Sequence, residues 1–224
     1  VIFCVIPFRK NVMNIDKKYY QVIRENLNNT IQDTNIHVQN KQVGKVRDAY
    51  FLDDKVLMVS TDRQSAFDRV LARIPYKGTV LNLVSAWWFE KTKDQFPNHL
   101  ISTPDPNISL VEKCDVFQVE FVVRGYITGS TETSLWTVYK NGAKEYCGNP
   151  IPSGLKKNQK LGEPMLTPTT KDKVHDRPVS KDEILELGLM TEEDFDKAAK
   201  MSLDLFNYGQ RVAAKNGLIL VDTK

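Results

Sequence analysis

The 224-residue sequence has few cysteines, no long apolar run and little net charge, and each of these shortages excludes a class of protein. Cys4, Cys114 and Cys147 are too few and too scattered for a disulfide framework or a zinc site, which indicates a reducing compartment, the cytoplasm. No apolar run approaches the roughly 20 residues that cross a bilayer, so we expect no membrane association. A net charge of +3, spread along the chain, gives no footprint for nucleic acid.

The two ends of the sequence look atypical for a complete domain. Residues 1–8 are apolar but lack the basic region and small-residue cleavage site of a signal peptide, whereas Met13 begins an ordinary polar sequence. We therefore expect residues 1–12 to be an extension. At the other end, residues 218–224 are predicted to form a buried strand after which the sequence stops, so we expect it to be incomplete there.

Helix signals are clear at several places. Asp16 is a candidate cap for a helix from Lys17 to about Ile31, and a second helix is predicted from Val80 to about Lys93, with Trp87 in the core. Ser180-Lys-Asp-Glu183 is a capping box for a short helix. Thr191 begins a long helix that ends at Lys215. Residues 141–176 have little periodicity, which is typical of a long functional cover or of disorder.

The stretch Asp115–Ser130 concentrates the most unusual combination of residues. Residues 116–123 are β-branched and aromatic, which predicts a strand buried on both faces, yet the run contains Glu120 and is closed by Arg124. The following Gly125–Ser130 segment suits a turn whose N–H groups face an anion. Two interpretations stay open on these residues: a phosphate clamp, or a structural Arg–Glu pair beside a tight turn.

Two further segments carry chemistry close to predicted strands. Gly44-Lys-Val-Arg-Asp48 is a glycine and two basic residues between two short strands, which describes either a loop over phosphates or a solvated basic hairpin. Residues 60–69 hold two aspartates, two arginines and three hydroxyls directly after a strand. Loops at strand ends often carry sites, but the composition slightly favours a solvated loop with internal Asp–Arg pairs.

Several motifs, taken in order, resemble one family. These are Gly44-Lys-Val-Arg-Asp48, Ser60-Thr-Asp-Arg-Gln-Ser-Ala-Phe-Asp68, Lys77-Gly78 with Asn82, Val122-Val-Arg-Gly-Tyr-Ile-Thr-Gly-Ser130, Thr167-Pro-Thr-Thr-Lys171 and Gly217-Leu-Ile-Leu-Val-Asp222. Together they resemble phosphoribosylaminoimidazole-succinocarboxamide synthase (SAICAR synthetase), an enzyme of de novo purine biosynthesis, over about residues 40–224.

The resemblance implies a reaction and a fold. The family joins L-aspartate to the carboxylate of an aminoimidazole carboxylate ribotide (CAIR), with ATP going to ADP and phosphate, and uses Mg²⁺. Its fold is α+β, with two lobes and an ATP-grasp or kinase-like nucleotide cleft. The implied organisation is an N-terminal extension and helix (1–36), an antiparallel-sheet lobe with the phosphate loop (37–115), and a second α+β lobe (116–224), incomplete at its C-terminal end. The implied assembly is a monomer or small homo-oligomer.

The resemblance also assigns roles to residues of this sequence. ATP would be bound by the phosphate loop, by the hinge segment and by an acidic residue: Gly44, Lys45, Val46, Arg47, Lys113, Val116, Phe117 and Glu120. The two acidic substrates would be held by Ser65, Lys77, Gly78, Asn82, Arg124, Ser130, Lys171, His175 and Asp176, with Arg124 and Ser130 on the ribotide phosphate. The catalytic set would be Asp68, Asp222 and Lys224, with Asp222 also holding Mg²⁺.

The sequence departs from the family pattern after Lys224. A glutamate expected just beyond it, and a later segment with a metal-binding aspartate and a phosphate-binding arginine, do not appear. We therefore expect the 224-residue polypeptide to have little or no synthetase activity. The alternatives are a catalytically incomplete fragment that binds nucleotide or ribotide, and a kinase-like ATP-binding module that acts on another small acid.

Overall fold

A computed structural model of the chain describes residues 17–66, 69–171 and 176–224. These residues fall into two compact units, one ending at Asp115 and the other starting at Val116. Across the described residues every strand pair is antiparallel. The combination of helices with antiparallel sheets confirms the expected α+β class. Within the same residues, every helix is too short or too polar to cross a lipid bilayer.

The N-terminal unit is built on a five-stranded sheet. Its elements are α1 (Lys17–Glu25), β1 (Asn40–Val43), β2 (Arg47–Phe51), β3 (Lys55–Ser60), β4 (Arg63–Ala66), β5 (Arg69–Arg73), α2 (Lys77–Thr92), β6 (Leu100–Asp105) and β7 (Ile108–Glu112). The sheet has the order β1-β2-β3-β7-β6, and β4 and β5 form a separate hairpin. Helix α2 packs against β3, β6 and β7. The buried apolar side chains of the sheet are Tyr50, Val56, Val59 and Val111.

Both helices of this unit differ from their predicted bounds. Helix α1 ends at Glu25 rather than near Ile31, because an asparagine-rich stretch follows and the Asn26 side chain donates to the carbonyl of Val22 at 2.8 Å. Helix α2 begins at Lys77, three residues earlier than predicted. Trp87 was expected in the core, but half of its surface is exposed (50%), because this helix carries apolar residues on both of its faces and only one face meets the sheet.

In the C-terminal unit, the residues that the structure describes form three helices and strands of two to eight residues. Its elements are β8 (Val119–Glu120), β9 (Val123–Ile127), α3 (Leu135–Lys140), β10 (Glu145–Tyr146), β11 (Asn149–Pro150), β12 (Gln159–Leu166), β13 (Thr169–Thr170), α4 (Lys181–Glu186), α5 (Glu192–Lys215) and β14 (Asp222–Thr223). Strand β9 lies between β12 and β14, and β8 pairs with β13. Both helix starts predicted from capping signals are confirmed, including the reciprocal capping box of Ser180 and Glu183.

The strand predicted over residues 116–123 is wrong in its bounds. Val116 is 70% exposed, β8 covers two residues only, and the continuous strand β9 runs through Gly125 instead of turning there. Gly125 lies against α5: an added Cβ would lie 2.7 Å from Gln210 Nε2 and 3.1 Å from the ring of Phe206. Its N–H donates to the carbonyl of Val221 at 2.9 Å, within the sheet. The glycine therefore serves strand and helix contact, and the turn comes after Ile127.

Residues 141–176 do not form one structureless loop. Strands β10, β11, β12 and β13 all begin in this segment. Three of them have two residues each, and the register of β12 shifts between Lys160 and Met165. Strands this short, and a strand with a bulge, show no sustained alternation of apolar and polar residues, so the periodicity of the sequence did not reveal them.

Candidate functional site

The predicted phosphate loop is the tight connection between β1 and β2. Gly44 donates its N–H to the carbonyl of Arg47 at 2.9 Å, and a Cβ on Gly44 would lie 2.7 Å from that carbonyl oxygen. The side chains of Lys45 and Arg47 are exposed. The hairpin therefore places two cations in solvent around a turn that only glycine fits closely, an arrangement suited to an anionic ligand.

The residues directly after β3 are buried and polar. Thr61 is 1% exposed, and both its N–H (3.1 Å) and its hydroxyl (2.8 Å) donate to the carbonyl of Val46 in the phosphate loop. Asp62 is 3% exposed and accepts N–H bonds from Ile31 at 2.8 Å and from Gly78 at 2.9 Å. These two residues connect the loop, the start of α2 and the segment after α1.

Arg63 is buried as well, which corrects the interpretation of residues 60–69 as a solvated loop with internal Asp–Arg pairs. Its ion-pair partner is Asp48 on β2, at 2.6 Å, and both side chains are almost fully enclosed. Burial alone would raise the pKa of Asp48, but hydrogen bonds from Arg63, Thr34 and Lys41 outweigh it and hold that pKa below its ordinary value. Asp62 and Arg63 are thus part of the interior, where a charge needs such a partner.

Two of the residues predicted to bind substrate in this unit are Lys77 and Ser65, which lie close to Arg63 in structure or in sequence. Lys77 donates to the carbonyl of Arg63 at 3.1 Å, and burial, with a further contribution from Arg47, lowers its pKa against the opposing effect of Asp62. Ser65 is half-buried on β4, while Asp68 lies outside the described residues.

Gly78 and Asn82 lie in the first turns of α2, on the side of the helix that faces the sheet. A Cβ on Gly78 would lie 2.3 Å from the carbonyl oxygen of Ser60, so the helix approaches β3 as closely as its backbone permits. The Asn82 amide donates to Pro106 (3.1 Å) and accepts from Ser109 (2.8 Å). Both polar ends of Asn82 are engaged inside the unit, which is the geometry of a structural residue.

The predicted adenine-binding hinge lies in the irregular segment between β7 and β8. Lys113, Val116 and Phe117 are all exposed, and the N–H of Lys113 donates to the carbonyl of Asp54 at 3.1 Å. These three residues are thus accessible to solvent, while the N–H of Lys113 already has a partner.

In the C-terminal unit, Arg124 lies on the central strand β9. Its Nε donates to the hydroxyl of Thr167 at 3.0 Å, and its Nη1 lies 3.4 Å from Asp222 Oδ2. Arg124 and Asp222 are directly opposite in the β9–β14 register. The partner of Arg124 is therefore Asp222, and not Glu120 as the structural-pair interpretation required. About a fifth of the Arg124 side chain reaches solvent (19%).

Glu120 stands in a second charged group on the same unit. Lys171 Nζ lies 3.0 Å from Glu120 Oε1, Lys224 contacts Glu120 Oε2, and Lys224 also lies 3.3 Å from Asp176. Burial alone would raise the pKa of Glu120, but hydrogen bonds from Lys224 and Lys171 outweigh it and lower that pKa. Burial likewise opposes the charge on Lys224, yet Glu120 and Asp176 raise its pKa. His175 lies outside the described residues, and Ser130 is exposed after β9.

The structure thus brings together residues that are far apart in sequence, but in two separate sets. One set surrounds Arg63 and the phosphate loop, and the other surrounds Arg124 and Glu120. Sequence reasoning missed Asp48 and Arg63 as interior partners and Thr167 as a partner of Arg124. The signal available for Arg63 was its position immediately after an apolar strand.

The chemistry of the charged groups is compatible with a nucleotide-bound cation. Among residues 17–66, 69–171 and 176–224, no three His, Cys, Asp or Glu side chains converge as metal ligands. Mg²⁺ on a nucleotide needs only one or two carboxylates besides phosphate oxygens and water. Asp222, partly exposed at 19%, can supply one such ligand.

Comparison with known sequences gives consistent matches. The sequence profile of the SAICAR synthetase family matches residues 40–224. The chloroplastic phosphoribosylaminoimidazole-succinocarboxamide synthase of Vigna aconitifolia is 53% identical over 223 residues, which is 97% of this chain and 64% of that protein. The synthase of Legionella pneumophila (strain Lens) is 57% identical over 87% of this chain and 62% of its own length. The chain therefore spans a little under two thirds of the length of these relatives.

Solved structures give the same result. The SAICAR synthase from Saccharomyces cerevisiae in complex with SAICAR superposes with a TM-score of 0.76 at 31% identity, over 87% of this chain and 70% of that one. A type-2 SAICAR synthetase in complex with ADP gives a TM-score of 0.67 at 25% identity, over 82% of this chain and 72% of that one. On sequence and structure together, the chain belongs to the SAICAR synthetase family.

Proposed function

We propose that the protein is an ATP-dependent ligase that joins L-aspartate to the carboxylate of CAIR and yields SAICAR, ADP and phosphate. The observation that carries this proposal is the meeting of residues from distant family motifs on adjacent strands. Arg124 on β9, Thr167 after β12 and Asp222 on β14 form one group of contacts. Relatives whose names or bound ligands specify SAICAR and ADP support the same reaction.

The chemistry explains why such an enzyme needs ATP. A carboxylate is a poor acyl donor because its leaving group would be oxide. Attack of a carboxylate oxygen on the γ-phosphorus breaks the bond to ADP and forms an acyl phosphate. The neutral amine of aspartate then attacks the acyl carbon, phosphate leaves with the electron pair of the broken C–O bond, and the amine loses a proton. Positioning and charge neutralisation supply most of the catalysis in such phosphoryl transfers.

In the N-terminal unit, the proposal assigns the nucleotide phosphates to the loop 44–47. Lys45 and Arg47 offset the charge of the phosphates, and the turn at Gly44 lets the backbone approach them. The proposal assigns the adenine to the backbone of the segment that follows β7, with Lys113 at the end of this unit and Val116 and Phe117 at the start of the next. Ser65, Lys77, Gly78 and Asn82 border the acidic substrates, with Asp68 as a catalytic residue; the engaged amide of Asn82 limits that residue to supporting its neighbours.

In the C-terminal unit, the proposal assigns the ribotide phosphate to Arg124 and Ser130. A guanidinium has five N–H donors, and the contacts to Thr167 and Asp222 account for two of them. Lys224 has both neighbouring carboxylates within reach, which keeps it protonated and able to stabilise negative charge on the reacting groups. In this proposal Glu120 contacts the nucleotide, and the acidic substrates are bound by Lys171, His175 and Asp176.

The same proposal covers the metal ion, the lobe boundaries, the cellular location and the oligomeric state. Mg²⁺ held by Asp222 would neutralise charge on the phosphates. The lobes are placed at 37–115 and 116–224, after an N-terminal segment of residues 1–36. We place the protein in the cytoplasm, a proposal that the low cysteine content of the sequence supports. The expected assembly is a monomer or small homo-oligomer that acts on small molecules.

The proposal is tested by measuring ADP release with Mg²⁺, CAIR, L-aspartate and ATP, omitting each component in turn, together with detection of SAICAR. Turnover should require both CAIR and aspartate. The variant Arg124→Lys should raise the KM for CAIR about tenfold or more, because lysine cannot reproduce a planar, multidentate contact to phosphate. The KM for ATP should change little.

Arg177→Lys is the matched control. Arg177 is a half-exposed arginine of the same unit that pairs with Glu183 at 2.9 Å, so the same substitution there should leave both KM values unchanged. ADP release that needs CAIR but not aspartate would indicate a kinase acting on a small acid. Binding of ATP without any turnover would contradict ligase activity of the 224-residue chain and indicate the alternative, a catalytically incomplete fragment of the enzyme that binds nucleotide.

A further inference from the structure

Arg63 is a buried arginine to which the proposed function gives no role. It is 6% exposed and sits at the start of β4. Its Nη2 donates to the carbonyl of Gly44 at 3.0 Å and to Asp48 Oδ1 at 2.6 Å. Its Nε donates to the carbonyl of Lys45 at 3.2 Å, and its Nη1 contacts the carbonyl of Gln32. One guanidinium thus holds two successive carbonyls of the phosphate loop.

Thr61 extends this anchoring by one more peptide. Its N–H and its hydroxyl both donate to the carbonyl of Val46. The carbonyls of Gly44, Lys45 and Val46 are therefore all fixed by Thr61, directly after β3, and by Arg63, the first residue of β4. Three consecutive anchored carbonyls leave the loop little freedom to rotate its peptide planes.

Fixing the carbonyls also fixes the direction of the amide groups. In a trans peptide unit the C=O and N–H bonds point in opposite directions. The carbonyls of Gly44 and Lys45 point at Arg63, so the N–H bonds of the same peptide units, those of Lys45 and Val46, point away from it. Successive N–H groups aimed at one side form a concavity that suits a phosphate oxygen.

Burying the charge of Arg63 costs desolvation free energy, and the ion pair with Asp48 offsets this cost. Asp48 is fully buried and also accepts a hydrogen bond from Thr34 at 2.6 Å and pairs with Lys41 at 3.2 Å. Buried ion pairs contribute little net stability compared with apolar packing. The pattern of donors to loop carbonyls therefore points to geometry, rather than stability, as what Arg63 supplies.

We propose that Arg63 is a positioning residue that preorganises the loop 44–47 for the phosphates of ATP. This inference rests on the proposed function, since the loop is assigned to ATP there. Arg63 is 6% exposed and its donors are taken up by loop carbonyls and Asp48, so the proposal gives it no contact with substrate or reacting atoms. It acts through the backbone of Gly44 and Lys45, and its own carbonyl accepts from Lys77.

The test is Arg63→Lys in the full chain. An ammonium at the end of the lysine side chain can pair with Asp48, but one nitrogen cannot occupy the positions of both Nε and Nη2, so one or both loop carbonyls are released. The Kd for ATP, measured by calorimetry, should rise about 10- to 100-fold. The KM for CAIR should stay within about twofold, because the main-chain contact to Lys77 is kept.

Hydrogen exchange supplies a readout that does not depend on turnover. Without any ligand, the amides of residues 44–47 should exchange faster in Arg63→Lys than in the wild type, because fewer bonds hold the loop. Arg73→Lys is the matched control. Arg73 lies opposite Arg63 in the β4–β5 register and donates to the side chain of Gln32, so it makes the same kind of contact without reaching the loop.

Thr61→Val is a second variant in case Arg63→Lys does not fold. It removes the hydroxyl donor to Val46 while keeping the N–H bond and the volume, so the Kd for ATP should rise several-fold, about three to ten. Unchanged loop exchange and unchanged ATP affinity in the folded variants would overturn the proposal, as would equal effects of Arg73→Lys. Wild-type protein that binds ATP but forms no SAICAR would instead reject ligase activity of the 224-residue chain and leave the role of Arg63 supported by its own readouts.

Discussion

Asp62→Asn should destabilise the N-terminal unit more than any single surface change, because this carboxylate joins two segments of the chain. Its Oδ2 accepts the N–H of Ile31 at 2.8 Å and its Oδ1 accepts the N–H of Gly78 at 2.9 Å, with 3% of the residue exposed. Asparagine keeps one accepting oxygen and places an NH₂ group against the second N–H. One bond to a charged acceptor is lost and a buried donor is left unpaired, which together cost roughly 3 kcal/mol.

Urea unfolding of the full chain measures this cost. Placing the substitution in a Trp136→Phe background leaves Trp87 and Trp88 as the tryptophans, so fluorescence reports the N-terminal unit. With a slope of about 2 kcal/mol/M, the midpoint should fall by roughly 1.5 M. Asp105→Asn is the control: Asp105 is exposed and accepts one N–H bond, from Asn107 at 2.9 Å, so the remaining oxygen suffices and the loss should stay below about 1 kcal/mol. Equal midpoint shifts for the two variants would refute the assignment of Asp62 as a double acceptor.

Three further predictions follow from single positions. Gly78→Ala should cost about 2–3 kcal/mol in the same urea assay, because its Cβ would lie 2.3 Å from the carbonyl oxygen of Ser60, and a cost near zero would contradict this packing. Burial raises the pKa of the Cys147 thiol to about 12, so this thiol should not react at pH 8, whereas Cys114 is exposed. Peptide mass spectrometry after alkylation at pH 8 should therefore find Cys114 labelled, and Cys147 labelled only after the chain is unfolded. Equal labelling of the two cysteines in the folded protein would contradict the burial of Cys147. Burial alone would raise the pKa of Asp48, but hydrogen bonds hold this pKa below its ordinary value of about 4. The stabilisation that the Asp48 carboxylate contributes is therefore complete above about pH 4 and is lost as the pH falls through the lowered pKa. Asp48→Asn should flatten the acid side of a curve of unfolding free energy against pH, and an unchanged slope there would contradict the role of this carboxylate.

Local signals in the sequence predicted the local structure well. The capping box at Ser180 and the start at Thr191 place α4 and α5 correctly, because a cap is satisfied within four residues of its own position. The prediction of α1 extended too far because it followed the spacing of apolar residues up to Ile31. It gave too little weight to the asparagines after Glu25, whose side chains compete for backbone hydrogen bonds.

Long-range contacts could not be predicted from composition or spacing. Arg124 was identified as a residue of special chemistry, but its partner Asp222 is 98 positions away, and nothing in either segment specifies the pairing. In the same way Arg63 was placed in a solvated loop, because its burial depends on Asp48 and on loop carbonyls that belong to another strand pair. Gly125 was interpreted as a turn residue, since a sequence does not show that a helix will pack against it.

The position of β14 at the edge of β9 has a consequence for the order in which the chain acquires structure during synthesis. All pairings of the five-stranded sheet lie within residues 40–112, so that sheet can be completed while the remainder is still being translated. Strand β9 is made early in the second unit, yet one of its two edges stays unpaired until residues 222–223 emerge. During this interval Arg124 lacks Asp222, and an exposed strand edge is open to mispairing with other chains. Ribosome-bound intermediates that end between residues 130 and 220 should therefore be the species most dependent on chaperones.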